Sequence, residues 1–348
     1  MQGRGIESDR GGKPHPLLRC VEKLIMGYRG AKALFVAVEL GIFDALEESD
    51  GRLVSVARRV EASRNRVEII MNALAALGFL EKTDAGKYHN NEFSRDWLTS
   101  NGSHSLVDNI RCQEFLSGAY ADFVETVRRG RLKRDLGDLL EEKPKFVRHY
   151  IHGMAEISKG VSRDLAKVID ASGAKDMLDV GGGPGLFALA FLGANPKLRA
   201  VVLDLSETLI HTRRYVRASP HRDRVAFQVG DYNKVDFGRN CFDLILMSHV
   251  THAESAENNQ RLVRKAHRAL REGGRLVIHD FMVNMNKTGP LFPALFSMHM
   301  ATFTNDGKTY SGAEYRNWFQ GAGFRVSEPI LISPGRANSS TAIIGTKR

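Results

Sequence analysis

The 348-residue chain is 43% apolar and 26% charged, the balance of a globular protein large enough for two domains and a sizeable core. Its longest apolar-looking run, residues 31–46, is interrupted by Lys32, Glu39 and Asp44, which leaves it short of the ~20 uncharged residues that a membrane span needs. The net charge of +10 sits largely in "RRGRLKR" (128–134) and in arginines near 213–224, without interleaved aromatics, so neither a membrane nor a nucleic-acid partner is expected.

The chain starts with "MQGRGIESDRGGKPHP", which is charged and has no apolar h-region. Residues 1–16 are therefore expected to form a disordered leader without a secretory signal, in a cytoplasmic protein. Cys20, Cys112 and Cys241 are far apart and form no CxxC pair, which argues for reduced thiols, with no disulfide framework and no metal site.

From residue 17 to 165 the pattern is helical. In "SRNRVEIIMNALAALGFL" the residues Val67, Ile70, Met71, Leu74 and Leu77 recur at three and four, one face of an amphipathic helix, with Ser63 as N-cap and Gly78 as stop. "FLEKTDAGKYHN" then reads as a small hairpin around Asp84, Ala85 and Gly86. With helices expected at 31–46 and 52–60, the order helix, helix, helix, hairpin is the winged-helix plan. Arg64 and Arg66 stand only at the start of the third helix, and Glu68, Asn72, Ala75 and Ala76 follow on its exposed side. That face grips phosphates poorly, so packing or dimerisation is expected in place of DNA reading.

After residue 175 short apolar runs alternate with helical stretches: "DMLDV", "RAVVLDL", "RVAFQVG", "FDLILMSHV" and "GRLVIHDFM". This is the signature of a parallel sheet covered by helices on both faces. "EYRNWFQGAGF" reads as a helix ending at Gly323, and "RVSEPILI" and "STAIIGTKR" follow with a connection too short for a parallel crossover. The last strand is therefore expected to run antiparallel.

The run Gly181 to Gly185, "GGGPG", follows the first of these strands and opens a helix. Open parallel sheets bind ligands at the carboxyl ends of their strands, and this loop lies there. Leu186 stands where the dinucleotide fingerprint needs a small residue, and no Gly-Lys-Ser/Thr follows to make a phosphate-binding P-loop. Asp204 ends the second strand, at a spacing suited to a carboxylate that accepts both hydroxyls of a ribose. Asp231, in "GDY" after the third strand, suits an adenine edge. A dinucleotide is disfavoured against another adenosyl compound, and each residue also has a plain reading as turn, cap or surface group.

The ordered series "LDVGGGPG", "VVLDL", "VGDY", "FDLILMSHVTHAES", "LREGGRLVIHDF" and "GKTYSGAEYRNWFQGAGF", behind a helical N-terminal half, resembles the S-adenosylmethionine-dependent O-methyltransferases of the hydroxyindole and caffeate type. The likeness runs from about residue 17 to 348. It implies a class I methyltransferase, α/β with a Rossmann-like seven-stranded sheet over 166–348. It also implies a winged-helix-like dimerisation domain over 17–165 and a homodimer. The positions that match the family's cofactor contacts are Gly181, Gly183, Asp204, Leu205, Gly230, Asp231, Tyr232 and Ser248, the last in place of a lysine common in plant members.

The resemblance further implies that His252 in "SHVTHAES" is the general base, with His249 as its neighbour and competitor, and that Asp280 orients its ring. Imidazole suits the task because its unperturbed pKa near ~6.5 leaves it largely neutral at neutral pH. Plant relatives have an aspartate where this chain has Ala253 and a second orienting glutamate where it has Thr309. Met154, Phe296, Met300, Phe303 and Thr309, with Phe292 and Met298, are expected to line a pocket for a flat aromatic or polycyclic acceptor. The reaction implied is methyl transfer to a hydroxyl, with S-adenosylhomocysteine as product. Transfer to carbon, a decarboxylase- or hydroxylase-like use of the cofactor, and a cofactor-sensing DNA-binding regulator are the alternatives.

Overall fold

The computed structural model describes residues 15–142, 144–336 and 338–348. The expected leader, apart from His15 and Pro16, lies outside the described residues. The chain packs as two compact units, one ending at Glu114 and the other spanning Phe115–Arg348. The division expected at 165/166 separates rhythms of sequence, whereas packing divides the chain earlier. The helix Pro144–Val168 places Leu165 and Ala166 in the same core as Phe187, Phe191 and Leu246 of the sheet layer. Periodicity identifies a helix but not the layer that it covers.

In the first unit the helix Pro16–Leu40 stops at Gly41, whose φ of 72° is left-handed. Helices Ile42–Glu47, Leu53–Arg59 and Arg64–Ala76 follow. Strands β1 (Leu80–Lys82) and β2 (Tyr88–Asn90) then pair antiparallel, Leu80 opposite Asn90. Four helices precede the hairpin where three were expected, because the left-handed Gly41 divides the segment 31–46 between two helices. Val67, Met71 and Leu74 are fully buried with Phe43, Val56 and Tyr88, while Leu77, past the last helical turn, is 48% exposed. A second apolar stripe has no cover within this unit: Leu17, Leu18, Val21, Leu24, Ile25 and Tyr28 are each at least half exposed on one long helix.

The second unit is built on β3 (Asp176–Val180), β4 (Arg199–Asp204), β5 (Val225–Val229), β6 (Phe242–Ser248), β7 (Leu270–Asp280), β8 (Phe324–Val326), β9 (Ile330–Ile332) and β10 (Ser340–Lys347). The order is β5-β4-β3-β6-β7-β10-β8, with β9 also paired to β10. The strands β3 to β7 are parallel, and β10 runs antiparallel to β7, as expected. The described sheet has eight strands because "RVSEPILI" divides in two. Ser327 interrupts it by exchanging bonds with Ile344, and Pro329 has no N–H for the ladder. One core layer holds Leu178, Ile245, Leu262, Trp318 and Phe319, and the other holds Met177, Phe191, Val202 and Leu246. The strand order reverses between β4 and β6 about β3, so the crevice above β3 is the switch point.

Candidate active site at the ends of the parallel strands

Gly181 turns the chain out of β3 with a φ of 62°, and its N–H donates to the Leu203 carbonyl at 2.8 Å. A Cβ at that position would lie 2.8 Å from Val250 Cγ2 and 3.5 Å from the Tyr232 ring, so only glycine lets the loop settle here. The N–H of Gly183 donates to Asp204 Oδ2 at 2.8 Å, and Asp204 Oδ1 accepts the N–H of Leu205 at 2.7 Å. Each oxygen of that carboxylate keeps lone-pair capacity for a ligand hydroxyl. Burial raises the Asp204 pKa, opposed by its bonds from Gly183 and Leu205.

At the end of β5, Gly230 donates to the Asp204 carbonyl at 3.0 Å, and a Cβ there would come within 2.3 Å of Val235. Asp231 caps its own turn through the N–H of Asn233 at 2.8 Å and pairs with Lys234. Tyr232 lies beside the glycine loop and donates its hydroxyl to Glu254 Oε1 at 2.9 Å. Burial first, and then the Glu254 charge, holds this phenol well above its usual pKa, so it stays a donor. Ser248 is turned inward, with its Oγ 2.8 Å from His279 Nδ1, and the other nitrogen of His279 meets Ser340 at 2.6 Å.

The histidine and the carboxylate expected to work together do meet. His252 Nδ1 lies 2.7 Å from Asp280 Oδ1 across the ends of β6 and β7. Asp280 is fully buried, and its other oxygen accepts from the Thr251 hydroxyl at 2.7 Å and from the His252 backbone N–H at 3.1 Å. Burial pushes the Asp280 pKa up, but His252 and His249 outweigh it and hold the group well below the usual carboxylate range. An ionised Asp280 fixes the His252 proton on Nδ1 and leaves a lone pair on Nε2.

His252 meets Phe296 edge-on at 4.9 Å, and Phe281, Phe292 and Phe296 lie in mutual ring contact within 5.8 Å. Phe296 belongs to the helix Leu291–Phe303, on which Met300 and Phe303 are buried. His299, one residue from Met300, contacts Phe296 and Phe303, bonds to Tyr120 at 2.7 Å, and is driven down to a pKa of about 4 by burial and then by His252. Thr309 is buried as well, but its hydroxyl donates to the Pro293 carbonyl at 3.2 Å, so it steadies the helix. Met154 is half-buried on Pro144–Val168.

Several residues here escape a reading of spacing alone. Asp179, two positions before the glycine loop, is fully buried and accepts the Ala188 N–H at 3.2 Å. Burial raises its pKa to about 7, with that bond opposing and Asp204 adding repulsion. An acidic residue inside the apolar strand "MLDV" was the available signal. Phe281, Tyr120 and His299 carried none, because only the tertiary fold brings them together.

Residues 126–325 match the model of the O-methyltransferase domain, and residues 22–100 match the O-methyltransferase dimerisation domain. Among curated proteins the chain is similar to a 3-hydroxy-5-methyl-1-naphthoate 3-O-methyltransferase of Streptomyces sahachiroi, 27% identical over 92% of this chain and 93% of that one. An L-tyrosine C(3)-methyltransferase of Streptomyces lavendulae is also 27% identical, over 86% of this chain and 85% of its own. Among solved structures, human N-acetylserotonin methyltransferase in complex with SAM shares the fold, with a TM-score of 0.85 at 24% identity over 97% of this chain and 99% of that one. The structure of PigF with SAH has a TM-score of 0.83 at 26% identity, over 94% and 99% of the two chains. PigF is an S-adenosyl-L-methionine-dependent methyl transferase of a Serratia species.

Proposed function

Because the chain belongs to the O-methyltransferase family, we propose that it methylates a hydroxyl of a small aromatic or polycyclic acceptor, with His252 as general base and Asp280 as its orienter. The single observation that carries this reading is the 2.7 Å contact between His252 Nδ1 and Asp280 Oδ1 beside a wall of phenylalanines.

The enzyme depends on S-adenosylmethionine, which supplies an electrophilic methyl group and leaves as S-adenosylhomocysteine. The cradle fits it: Gly181 opens a space that any Cβ would close, and Asp204 presents two oxygens with capacity to spare. Gly181, Gly183, Asp204, Leu205, Gly230, Asp231 and Tyr232 would hold the donor. Ser248 would join them only by sharing its hydroxyl with His279.

Phe296, Met300 and Phe303 would flank the acceptor ring, with Met154 beside the donor and Thr309 behind the helix. His252 Nε2 would take the hydroxyl proton as the oxygen becomes a nucleophile, work that typically contributes ~10² to 10⁴-fold. Asp280 would stabilise the imidazolium so formed. Alignment of acceptor and methyl supplies the remaining acceleration.

The first unit carries the dimerisation domain, and its exposed stripe Leu17, Val21, Leu24 and Tyr28 would seat a second copy. Its run of helices closed by a hairpin would serve that winged-helix-like role. Among the described residues no helix is long and apolar enough to cross a membrane. We place the enzyme in the cytoplasm, in small-molecule secondary metabolism, in line with cysteines that lie far apart in the sequence and form no CxxC pair.

Transfer to ring carbon is a second reading, favoured by the tyrosine C(3)-methyltransferase among the relatives and by a single carboxylate behind His252. Incubating the protein with methyl-labelled S-adenosylmethionine and fractionated cell extract tests both. Label on an oxygen supports the first reading, label on carbon the second, and loss of carbon dioxide or gain of oxygen neither.

A further inference from the structure

His252 is not the only imidazole directed at Asp280. His249 Nδ1 lies 3.7 Å from the same Oδ1 atom, too far for a hydrogen bond, and this buried nitrogen has no hydrogen-bond partner among the described residues. The residue holds a left-handed φ of 56°, which side chains other than glycine seldom adopt. Its N–H donates to the His279 carbonyl at 2.8 Å, and its ring is held by Phe281 at 4.7 Å and His279 at 4.6 Å. The nitrogen is therefore positioned by backbone and packing, without a partner that accounts for it.

One ring nitrogen each of His249 and His252 and an Asp280 oxygen all lie within 4.8 Å of one another. A tetrahedral ion bound at about 2.1 Å spaces its ligands about 3.4 Å apart. The two separations to Asp280, 2.7 and 3.7 Å, straddle that value, and rotation of the rings that draws the two imidazole nitrogens together would complete the triangle. Two imidazoles and one carboxylate suit a borderline divalent ion such as zinc or cobalt, and not magnesium or calcium. Three protein ligands leave a fourth position open.

We infer that His249, His252 and Asp280 form a binding site for a zinc-type divalent transition metal, and that filling it silences the His252 base. The second half rests on the function proposed above, and the first half does not. The ion takes the Nδ1 position whose proton now points at Asp280. That proton moves to Nε2 of the same ring, so the nitrogen that would accept a proton from the acceptor becomes a donor. No oxidation state changes and no group leaves. Metal binding and methyl transfer then exclude each other at one histidine, and His249 is the ligand that makes the exclusion possible.

The test uses the full-length protein, free of any affinity tag and of other metals, titrated with cobalt(II) and read by its visible absorption. The site predicts one cobalt ion per chain with the bands of a low-coordinate ion. His249→Asn, which tolerates the left-handed backbone but lacks the imidazole, should weaken binding at least about 100-fold. Asp280→Asn should do the same, and a His249→Phe variant with unchanged circular dichroism checks that ring packing is not the cause. Zinc should inhibit methyl transfer with a midpoint that shifts in His249→Asn by the same factor as cobalt affinity. Cobalt bands absent from the wild-type protein, or equal in wild type and variants, would overturn the site. A filled site with unimpaired methyl transfer would overturn the silencing. A metal-free protein that transfers no methyl group at all would count against the proposed function, while the cobalt titration still decides the site.

Discussion

The backbone N–H of His252 and its ring nitrogen Nδ1 both engage the same carboxylate, at 3.1 Å to Asp280 Oδ2 and 2.7 Å to Asp280 Oδ1. One aspartate thus positions the main chain and the side chain of the histidine together. Thr251, bonded both to Asp280 Oδ2 at 2.7 Å and to the Tyr315 hydroxyl at 2.6 Å, locks the carboxylate in turn.

Asp280→Asn keeps the shape of that side chain and removes its charge. The amide no longer selects the Nδ1–H tautomer, so turnover should fall by about 10² to 10⁴-fold, the usual worth of a proton-transfer group. Donor affinity, measured by calorimetry, should change little. A variant that turns over at the wild-type rate would remove Asp280 from the chemistry.

Asp204→Ala should act on binding instead. Two lost hydrogen bonds to a charged oxygen cost about 1.5–3 kcal/mol each, and the Gly183 and Leu205 N–H groups lose their acceptor as well. S-adenosylhomocysteine affinity should drop at least about 100-fold. Calorimetry that finds undiminished affinity would show that no ribose is held there.

Asp179 makes stability depend on pH in an unusual direction. Its folded pKa of about 7 lies above the ordinary carboxylate value of 3.8, so between those two values the folded chain binds more protons than the unfolded one. Its contribution to stability therefore falls as pH rises from about 4 to about 7 and levels off above that. In Asp179→Asn this slope disappears. Melting temperatures measured at pH 4 and pH 8 should show the variant gaining on the wild type at the higher pH. A constant difference across the range would mean that Asp179 is already ionised in the folded protein.

The stripe on Pro16–Leu40 predicts an oligomer. Leu24 is 71% exposed in the single chain, and burying a leucine is worth about 1.5–3 kcal/mol per copy. Leu24→Glu should shift the protein from dimer to monomer in sedimentation velocity while leaving its circular dichroism intact. A variant that remains dimeric would put the contact elsewhere.

What could be read from the sequence was whatever local spacing encodes. The strand, loop and helix around Gly181 follow from a few consecutive residues, and so do the carboxylates at successive strand ends. The pairing of His252 with Asp280 came from family likeness, and the structure supplies its geometry. Spacing failed where side chains meet across long stretches of chain. Ser248 reaches His279 over 31 residues, His279 reaches Ser340 over 61, and Tyr120 reaches His299 over 179. It failed at Leu77 too, because a helical period continues in sequence past the turn at which the helix ends.

If His252 removes the acceptor's proton, its help is needed only while that proton is present. The most direct measurement is the single-turnover rate of methyl transfer to a phenolic acceptor, for wild type and His252→Ala, from neutral pH to near the acceptor's own ionisation, about pH 10 for an ordinary phenol. A large deficit in the variant is expected near neutrality, closing as the acceptor becomes a phenolate unaided. A deficit of constant size at every pH, or none at all, would contradict the role of His252 as base.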